Sequence, residues 1–177
     1  MKWLLMIGGF VVAAVALIAF VGALLPKSHV ASRSARYRRS PQEIWMAITG
    51  IAEFPSWRPG VKSVERLPDL DGHSMWIEKG PHDAIPYEAI EFSPPDASGN
   101  ARLVGKIADP KLPYGGAWTY ELTASGDGAE LRITERGEVY NPVFRFVSRF
   151  IMGHTKTIDD YLWALGKKFG ENVTIGD

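Results

Sequence analysis

The 177-residue chain contains no cysteine, which excludes a disulfide framework, a thiol nucleophile and a cysteine-based metal site. The sequence also lacks a glycine-rich phosphate loop, a dinucleotide-binding fingerprint, a His-Glu-x-x-His motif and a Gly-x-Ser-x-Gly motif. Its four histidines do not have the spacing of metal ligands; they are His29, His73, His82 and His154. We therefore expect neither a cofactor nor a metal, and no motif assigns the chain to a class of enzyme.

Charge is balanced over the whole chain, with 20 basic and 20 acidic side chains, but it is unevenly distributed. Residues 1–40 carry a net charge of +6 and the remaining residues a net charge of −6. An acidic body argues against nucleic acid as a partner. The basic segment is better suited to an anionic membrane surface.

Residues 3–25, from Trp3 to Leu25, form a run of 23 residues without a charge. At ~1.5 Å per residue, a helix of this length spans ~35 Å, which is enough to cross a hydrocarbon core of ~30 Å. We predict that residues 1–27 are a single transmembrane anchor that attaches the protein to a membrane. A secretory signal peptide is the alternative, with Val21-Gly22-Ala23 as a cleavage site, but the run exceeds the ~7–15 residues of a typical signal core.

The basic residues near this segment indicate an orientation. Five of them follow the apolar run closely, whereas only Lys2 precedes it. The positive-inside rule therefore favours a cytoplasmic location for the rest of the chain, and the periplasmic or extracellular side is the alternative.

The pattern of apolar residues predicts one strand, two short helices, six further strands and a long helix. Ser40-Pro41 starts the first helix at residues 41–50, and a shorter helix follows at residues 52–57. Alternation between turn signals predicts the strands, which occupy residues 29–39, 61–67, 74–79, 85–92, 102–108, 117–123 and 130–140.

Residues 141–170 predict one continuous amphipathic helix of roughly seven turns. Asn141-Pro142 is a typical start for a helix, and Gly170 is a typical end. Between them, apolar residues recur at steps of three and four. We predict a domain over residues 28–170, in which a sheet covers this helix, and a C-terminal tail over residues 171–177.

This order of elements resembles the START-like (SRPBCC) superfamily, which includes the birch-pollen allergen, START lipid carriers and polyketide cyclases. The resembling sequences are Ser40-Pro41-Gln42-Glu43-Ile44-Trp45, the segment from Phe54 to Val64, Gly115-Gly116-Ala117-Trp118 and Gly137-Glu138-Val139-Tyr140-Asn141-Pro142. The resemblance implies an α+β helix-grip fold, in which a curved, seven-stranded antiparallel sheet holds an apolar cavity against the C-terminal helix. It supplies no invariant catalytic residues.

Two residues are unusual for their positions. Glu135 shares a strand face with Leu131 and Ile133, so we expect its carboxylate to have a partner. A bulge that turns it outward, or a structural pair with an arginine, is the alternative. His154 lies on the apolar stripe of the terminal helix, where it is either an acid, base or polar anchor or a hydrogen-bonded core residue. If both face the cavity, they are candidate catalytic residues.

We predict that the ligand contacts come from aromatic strand residues, the terminal helix and one arginine. Arg58 lies in the loop that borders the cavity of this fold, where it either binds a polar head group or braces the turn by stacking on Trp57. The predicted ligand-binding residues are Arg58, Trp76, Tyr87, Trp118, Tyr120, Phe150, His154, Ile158 and Tyr161. For Trp76, Tyr87, Trp118 and Tyr120 the alternative is that they are plain core residues.

These features give three hypotheses for function. The first is a membrane-anchored domain that binds a hydrophobic small molecule, which is lipid-like, isoprenoid-like or polyketide-like. The second is an enzyme similar to polyketide cyclases or dehydratases, with Glu135 and His154 as acid and base. The third is a scaffold or chaperone-like role for a membrane partner, which an exposed apolar patch would indicate.

Overall fold

A computed structural model describes residues 2–177, leaving aside the side chains of residues 4, 5 and 152. Met1, the first residue of the predicted anchor, lies outside the described residues. The helices are α1 (Lys2–Leu24), α2 (Pro41–Thr49), α3 (Phe54–Trp57), α4 (Pro142–Val147) and α5 (Lys156–Lys168), with a 3-10 turn at Ile51–Glu53 and a π-helical turn at Ser148–Met152. The strands are β1 (Ser28–Tyr37), β2 (Ser63–Leu70), β3 (His73–Lys79), β4 (Ala84–Ser93), β5 (Ala101–Ile107), β6 (Tyr114–Ser125), β7 (Gly128–Val139) and β8 (Ile175–Gly176).

The strands form one curved antiparallel sheet in the order β2-β3-β4-β5-β6-β7-β1-β8. Together with α2, α3 and α5 it forms the α+β helix-grip fold that the sequence predicts. The predicted number of seven strands is wrong, because β8 adds an eighth from the segment expected to be a tail. A two-residue strand has no alternation to detect in the sequence. It forms because Glu171 accepts a hydrogen bond from the backbone N–H of Arg38 (2.8 Å), which returns the chain to the free edge of β1.

The hydrophobic core lies between the concave face of the sheet and α5. Leu162 and Leu165 of α5 are fully buried, as are Leu131 of β7 and Ile44 of α2. The hydroxyl of Tyr37 donates a hydrogen bond to the carbonyl of Leu162 (2.9 Å), so the one polar atom of this buried ring is satisfied. Helix α5 is thereby fixed against β1.

Helix α2 begins with a capping box, in which the side chains of Ser40 and Glu43 satisfy each other's backbone N–H groups. Pro41 occupies the first turn, where its missing N–H is not needed. The helix therefore starts where the sequence predicts and directs Ile44 and Ile48 into the core.

The terminal helix is not continuous, and the prediction of one helix over residues 141–170 is wrong. Helix α4 passes into the π-helical turn and stops at Gly153, whose backbone angles are φ 75° and ψ 160°. This region of conformational space is open essentially to glycine alone. Apolar residues recur at helical spacing on both sides of the break because α4 and α5 each bury one apolar face. The two helices bury these faces against different partners. Helix α5 covers the sheet, whereas α4 packs against α1.

Helix α1 is attached to α4 at its C-terminal end. The guanidinium group of Arg145 is buried and donates hydrogen bonds to the carbonyls of Leu25 (2.8 Å) and Ala23 (3.5 Å). A cation at this position satisfies orphan carbonyls and complements the helix dipole. Gly22 lies so close to the carbonyl of Pro142 that a Cβ atom there would collide with it.

Within the described residues, Met6–Leu24 of α1 is the helix that is long and apolar enough to cross a membrane. A signal sequence near the N-terminus passes the same test of length and composition, so the anchor and its orientation stay predictions. Most of the large apolar side chains of α1 are exposed, among them Trp3, Phe10 and Phe20.

Replacing Gly153 with alanine tests the break directly. A broken helix predicts that the free energy of unfolding falls, whereas a continuous helix predicts that it rises. At φ 75° and ψ 160° an alanine costs about 1–3 kcal/mol, whereas within a continuous helix it stabilises by up to ~1 kcal/mol. No heavy atom lies within 4 Å of the added Cβ position, so packing does not contribute. We expect Gly153→Ala to lower the free energy of unfolding, measured with urea in detergent micelles. Ala164→Gly, inside α5, is the control and should cost about 1 kcal/mol.

Candidate functional site

A cavity of about 350 Å³ lies between the concave face of the sheet, α5 and the short helices that follow β1. Strand alternation directs its aromatic wall inward, with Trp76 on β3, Tyr87 on β4 and both Trp118 and Tyr120 on β6. The register pairs Trp76 with Tyr87, and their rings stack with centroids 5.7 Å apart. Of the residues predicted to bind a ligand, the structure brings seven into this wall, namely Arg58, Trp76, Tyr87, Trp118, Tyr120, Ile158 and Tyr161.

An ion pair lies in the wall of this mostly apolar cavity. Arg58 Nη1 donates a hydrogen bond to Glu78 Oε1 at 2.6 Å, and the indole N–H of Trp76 donates to the same oxygen at 3.0 Å. The side chains of Arg58 and Glu78 are only 18% and 9% exposed. The guanidinium group also lies over the rings of Phe54 and Tyr161, rather than against Trp57. These contacts fix the direction of both charged groups.

The charge of Arg58 is secured by its surroundings. Burial alone lowers the pKa of Arg58, but the carboxylate of Glu78 and its hydrogen bond outweigh burial and raise the pKa overall. Arg58 is therefore a permanent cation, and Glu78 compensates for it within the wall.

Glu78 was missed in the sequence. The available signal was its position two residues after Trp76, on the same face of a strand.

Three tyrosines add hydroxyl groups to the wall. Burial raises the pKa of Tyr120 to about 12 and raises the pKa of Tyr87 and of Tyr161 as well, so all three stay neutral donors at physiological pH. Among the described residues, the tyrosine hydroxyls that hydrogen-bond to protein are those of Tyr37 and Tyr140. The three hydroxyls in the wall are therefore available to a ligand.

A second polar cluster lies beside the cavity and contains the two catalytic candidates. Glu135 faces the concave side of the sheet, as its strand position suggests, and accepts a hydrogen bond from the indole N–H of Trp118 (3.0 Å). Its other oxygen pairs with His29 Nε2 at 3.1 Å, and the ring of His29 stacks on that of His154 with centroids 3.9 Å apart. His154 also contacts the hydroxyl of Ser148. The partner of Glu135 is thus a histidine and an indole, not an arginine.

Glu135 and His154 are near each other, but neither lines the cavity; Trp118 is the residue that the cluster and the cavity share. Phe150, another predicted ligand contact, lies in the π-helical turn with its ring exposed. The break at Gly153 accounts for the placement of Phe150, because it takes the preceding residues off the stripe that covers the sheet. His29 was missed as a member of this site, since the register of β1 against β7 is a long-range property.

No family model matches the chain, and no curated protein sequence matches it. Solved structures are similar to it in fold. A norcoclaurine synthase from Thalictrum flavum has a TM-score of 0.60 at 14% identity, over 82% of this chain and 95% of that one. A START superfamily protein from Mycobacterium smegmatis has a TM-score of 0.56 at 13% identity, over 79% and 96%. The di-domain ARO/CYC protein StfQ from the steffimycin biosynthetic pathway has a TM-score of 0.58 at 11% identity, over 81% and 52%. At these identities the similarity shows the fold alone.

Removing one partner of the cavity ion pair should be strongly destabilising. Arg58→Met leaves the carboxylate of Glu78 buried without a countercharge, and we expect a loss of about 3–5 kcal/mol in the free energy of unfolding. The double variant Arg58→Met/Glu78→Gln should recover most of this loss, because an amide keeps an acceptor for the indole of Trp76. Arg102→Met is the matched control, since its ion pairs with Glu91 and Glu121 are exposed and should be worth less than about 1 kcal/mol. Equal losses for Arg58→Met and Arg102→Met would contradict this description.

The protonation of His154 should be visible as a function of pH. Burial, the adjacent His29 and Arg149 lower the pKa of His154, so the unfolded chain binds this proton more readily than the folded one. Its contribution to stability is therefore complete above about pH 6.5 and is lost as the pH falls through the lowered pKa. We expect an NMR titration of the His154 ring with a midpoint below 6.5, the ordinary value for histidine. His154→Gln should flatten the dependence of stability on pH in this window, and an unchanged dependence would contradict the assignment.

Proposed function

We propose that this protein is a membrane-anchored domain that binds a hydrophobic small molecule. The observation that carries the proposal is the cavity, whose wall combines aromatic and aliphatic side chains with one compensated ion pair and three tyrosines whose hydroxyls have no hydrogen-bond partner among the described residues. Pockets that are mainly apolar, with a few converging polar groups, are typical of small-molecule sites.

The polarity of the wall indicates the chemistry of the ligand. Arg58 and the hydroxyls of Tyr87, Tyr120 and Tyr161 are donors, so they suit a ligand with an apolar body and a carbonyl, hydroxyl or carboxylate oxygen. The volume of about 350 Å³ is near the lower end of the ~300–1,000 Å³ found for ligand pockets. A fused-ring or short isoprenoid-like molecule therefore fits better than a lipid with two long chains.

Membrane attachment is supported by the length and composition of α1 and by its firm connection to the domain through Arg145. A tether of this kind keeps the cavity near the phase into which apolar molecules partition. The basic residues that follow α1 favour the cytoplasmic side.

An enzyme similar to polyketide cyclases or dehydratases is the second candidate. The fold is shared with a norcoclaurine synthase and an ARO/CYC protein, and the cavity holds groups that can polarise a carbonyl. Glu135 and His154 lie beside the cavity and not in its wall, so Arg58, Glu78 and the tyrosines are the better candidates for chemistry on a bound molecule. If a bound molecule is recovered unchanged after repeated release and rebinding, binding is favoured; loss of water or ring closure favours the enzyme.

Filling the cavity should abolish binding. A Cβ atom on Gly105 meets the ring of Trp76 only at 4.0 Å, so Gly105→Leu projects into free space and occupies the cavity without a backbone clash. We expect native mass spectrometry of the full chain, released from detergent micelles, to show a retained apolar molecule that Gly105→Leu loses. Thr123→Leu, on an exposed position of the neighbouring strand, should retain it. An empty wild-type cavity, or equal retention by Gly105→Leu, would overturn the proposal.

A further inference from the structure

Three large apolar side chains are exposed on α4 and the π-helical turn. Phe144, Phe150 and Ile151 are 50%, 60% and 71% exposed, and we call them the α4 surface. Burying such side chains is worth ~1.5–3 kcal/mol each, so their exposure to water is costly in sum. All three lie within the eight residues 144–151, and the ring of Phe150 packs on that of Phe146 with centroids 4.9 Å apart, so the exposed apolar side chains are concentrated in one short segment.

The α4 surface is attached to the end of α1. Arg145, on the same helix, is 8% exposed and donates to the carbonyls of Leu25 and Ala23, the last residues of that helix and its exit. Gly22 and the backbone of Pro142 are in close contact. Since α1 packs against α4, α4 lies beside the point at which α1 would leave a bilayer, and the α4 surface extends from there into the π-helical turn.

The segment that carries the α4 surface has basic residues but no acidic ones. Residues 141–158 contain no aspartate or glutamate but include Arg145, Arg149 and Lys156. Arg145 is buried and Lys156 pairs with Asp160 at 2.7 Å, so Arg149 is the cation of this segment that faces solvent without such a partner among the described residues. Arg149 is exposed, as is Lys27 just after α1, and each can approach anionic headgroups. A basic residue near such a surface is worth about 1 kcal/mol. The acidic remainder of the domain gives no comparable attraction.

We propose that the α4 surface inserts into the lipid surface next to α1 and forms a second membrane contact. The proposal rests on the proposed function in one respect, that α1 crosses the membrane. Aromatic and branched apolar side chains with flanking cations are typical of segments that lie ~5–10 Å into the boundary between headgroups and acyl chains. Three side chains are far fewer than the ~20–30 residues a side of a stable protein interface, so lipid suits the surface better than a second copy or a protein partner.

This contact would fix the orientation of the cavity. The α4 surface ends two residues before Gly153, and α5 begins at Lys156 with the cavity-lining residues Thr157 and Ile158 in its first turn. The N-terminal end of α5 is therefore held on the membrane side of the domain. An apolar ligand leaving the bilayer would meet this end of the cavity wall first.

The natural absence of cysteine allows a direct test by spin labelling. Single variants Phe150→Cys, Ile151→Cys, Leu70→Cys and Val12→Cys of the full chain carry a nitroxide in vesicles of phosphatidylcholine with a minority of phosphatidylglycerol. We expect the ratio of oxygen to nickel-reagent accessibility at positions 150 and 151 to exceed that at position 70 several-fold. Leu70 is exposed on β2 and serves as the matched apolar control.

The label at position 12, in the middle of α1, tests the membrane anchor independently of the insertion of the α4 surface. If it is immersed and positions 150 and 151 resemble position 70, the anchor holds and the insertion of the α4 surface is refuted. If position 12 is not immersed, the anchor itself fails. Labels at 150 and 151 that neither reagent reaches would show a protein partner or a second copy on this surface, which would also overturn the proposal.

Discussion

The conformation of Gly153 determines what the two helices on either side of it, α4 and α5, can contact. A backbone at φ 75° and ψ 160° ends the first part of the terminal helix and redirects the chain. Because of this change of direction, α5 can lie across the concave face of the sheet while α4 lies along α1. A straight helix would satisfy only one of these surfaces. The break therefore lets one segment of chain serve both the cavity and the apolar N-terminal helix.

The cavity that α5 covers contains an ion pair in its wall. A buried ion pair is often no more stabilising than well-packed apolar residues, since desolvation offsets the attraction between its charges. Arg58 and Glu78 therefore do not need to be present for stability, although breaking the pair is costly. Their place in the cavity wall, beside the hydroxyls of Tyr87, Tyr120 and Tyr161, agrees with the proposal that these groups orient a ligand. The rings of Trp76, Tyr87 and Trp118 lie in the same wall and contribute much of its apolar surface.

The sequence was informative wherever a local period decides the structure. Alternation placed Trp118 and Tyr120 on one face of their strand, and the signal Ser40-Pro41 placed the start of α2. A period does not reveal the backbone angles of one glycine, so the continuous helix was a wrong prediction, as was the inward position of Phe150 that depended on it. Glu78 and His29 were missed for a different reason. Their importance comes from partners 20 and 106 residues away, and such pairings depend on register and loop geometry that no local pattern encodes.

The polar cluster links the two regions that Gly153 separates. His154 belongs to the connection between α4 and α5, and its ring stacks on His29 of β1. His29 pairs with Glu135, and Glu135 accepts from the indole of Trp118 in the cavity wall. This is a contiguous series of contacts from the connection between α4 and α5 to the wall of the cavity. Burial, the adjacent His29 and Arg149 lower the pKa of His154, so its stacked contact with His29 is favoured while the His154 ring is neutral. A change in the position of α4 therefore has a physical route to Trp118 through packed and hydrogen-bonded side chains.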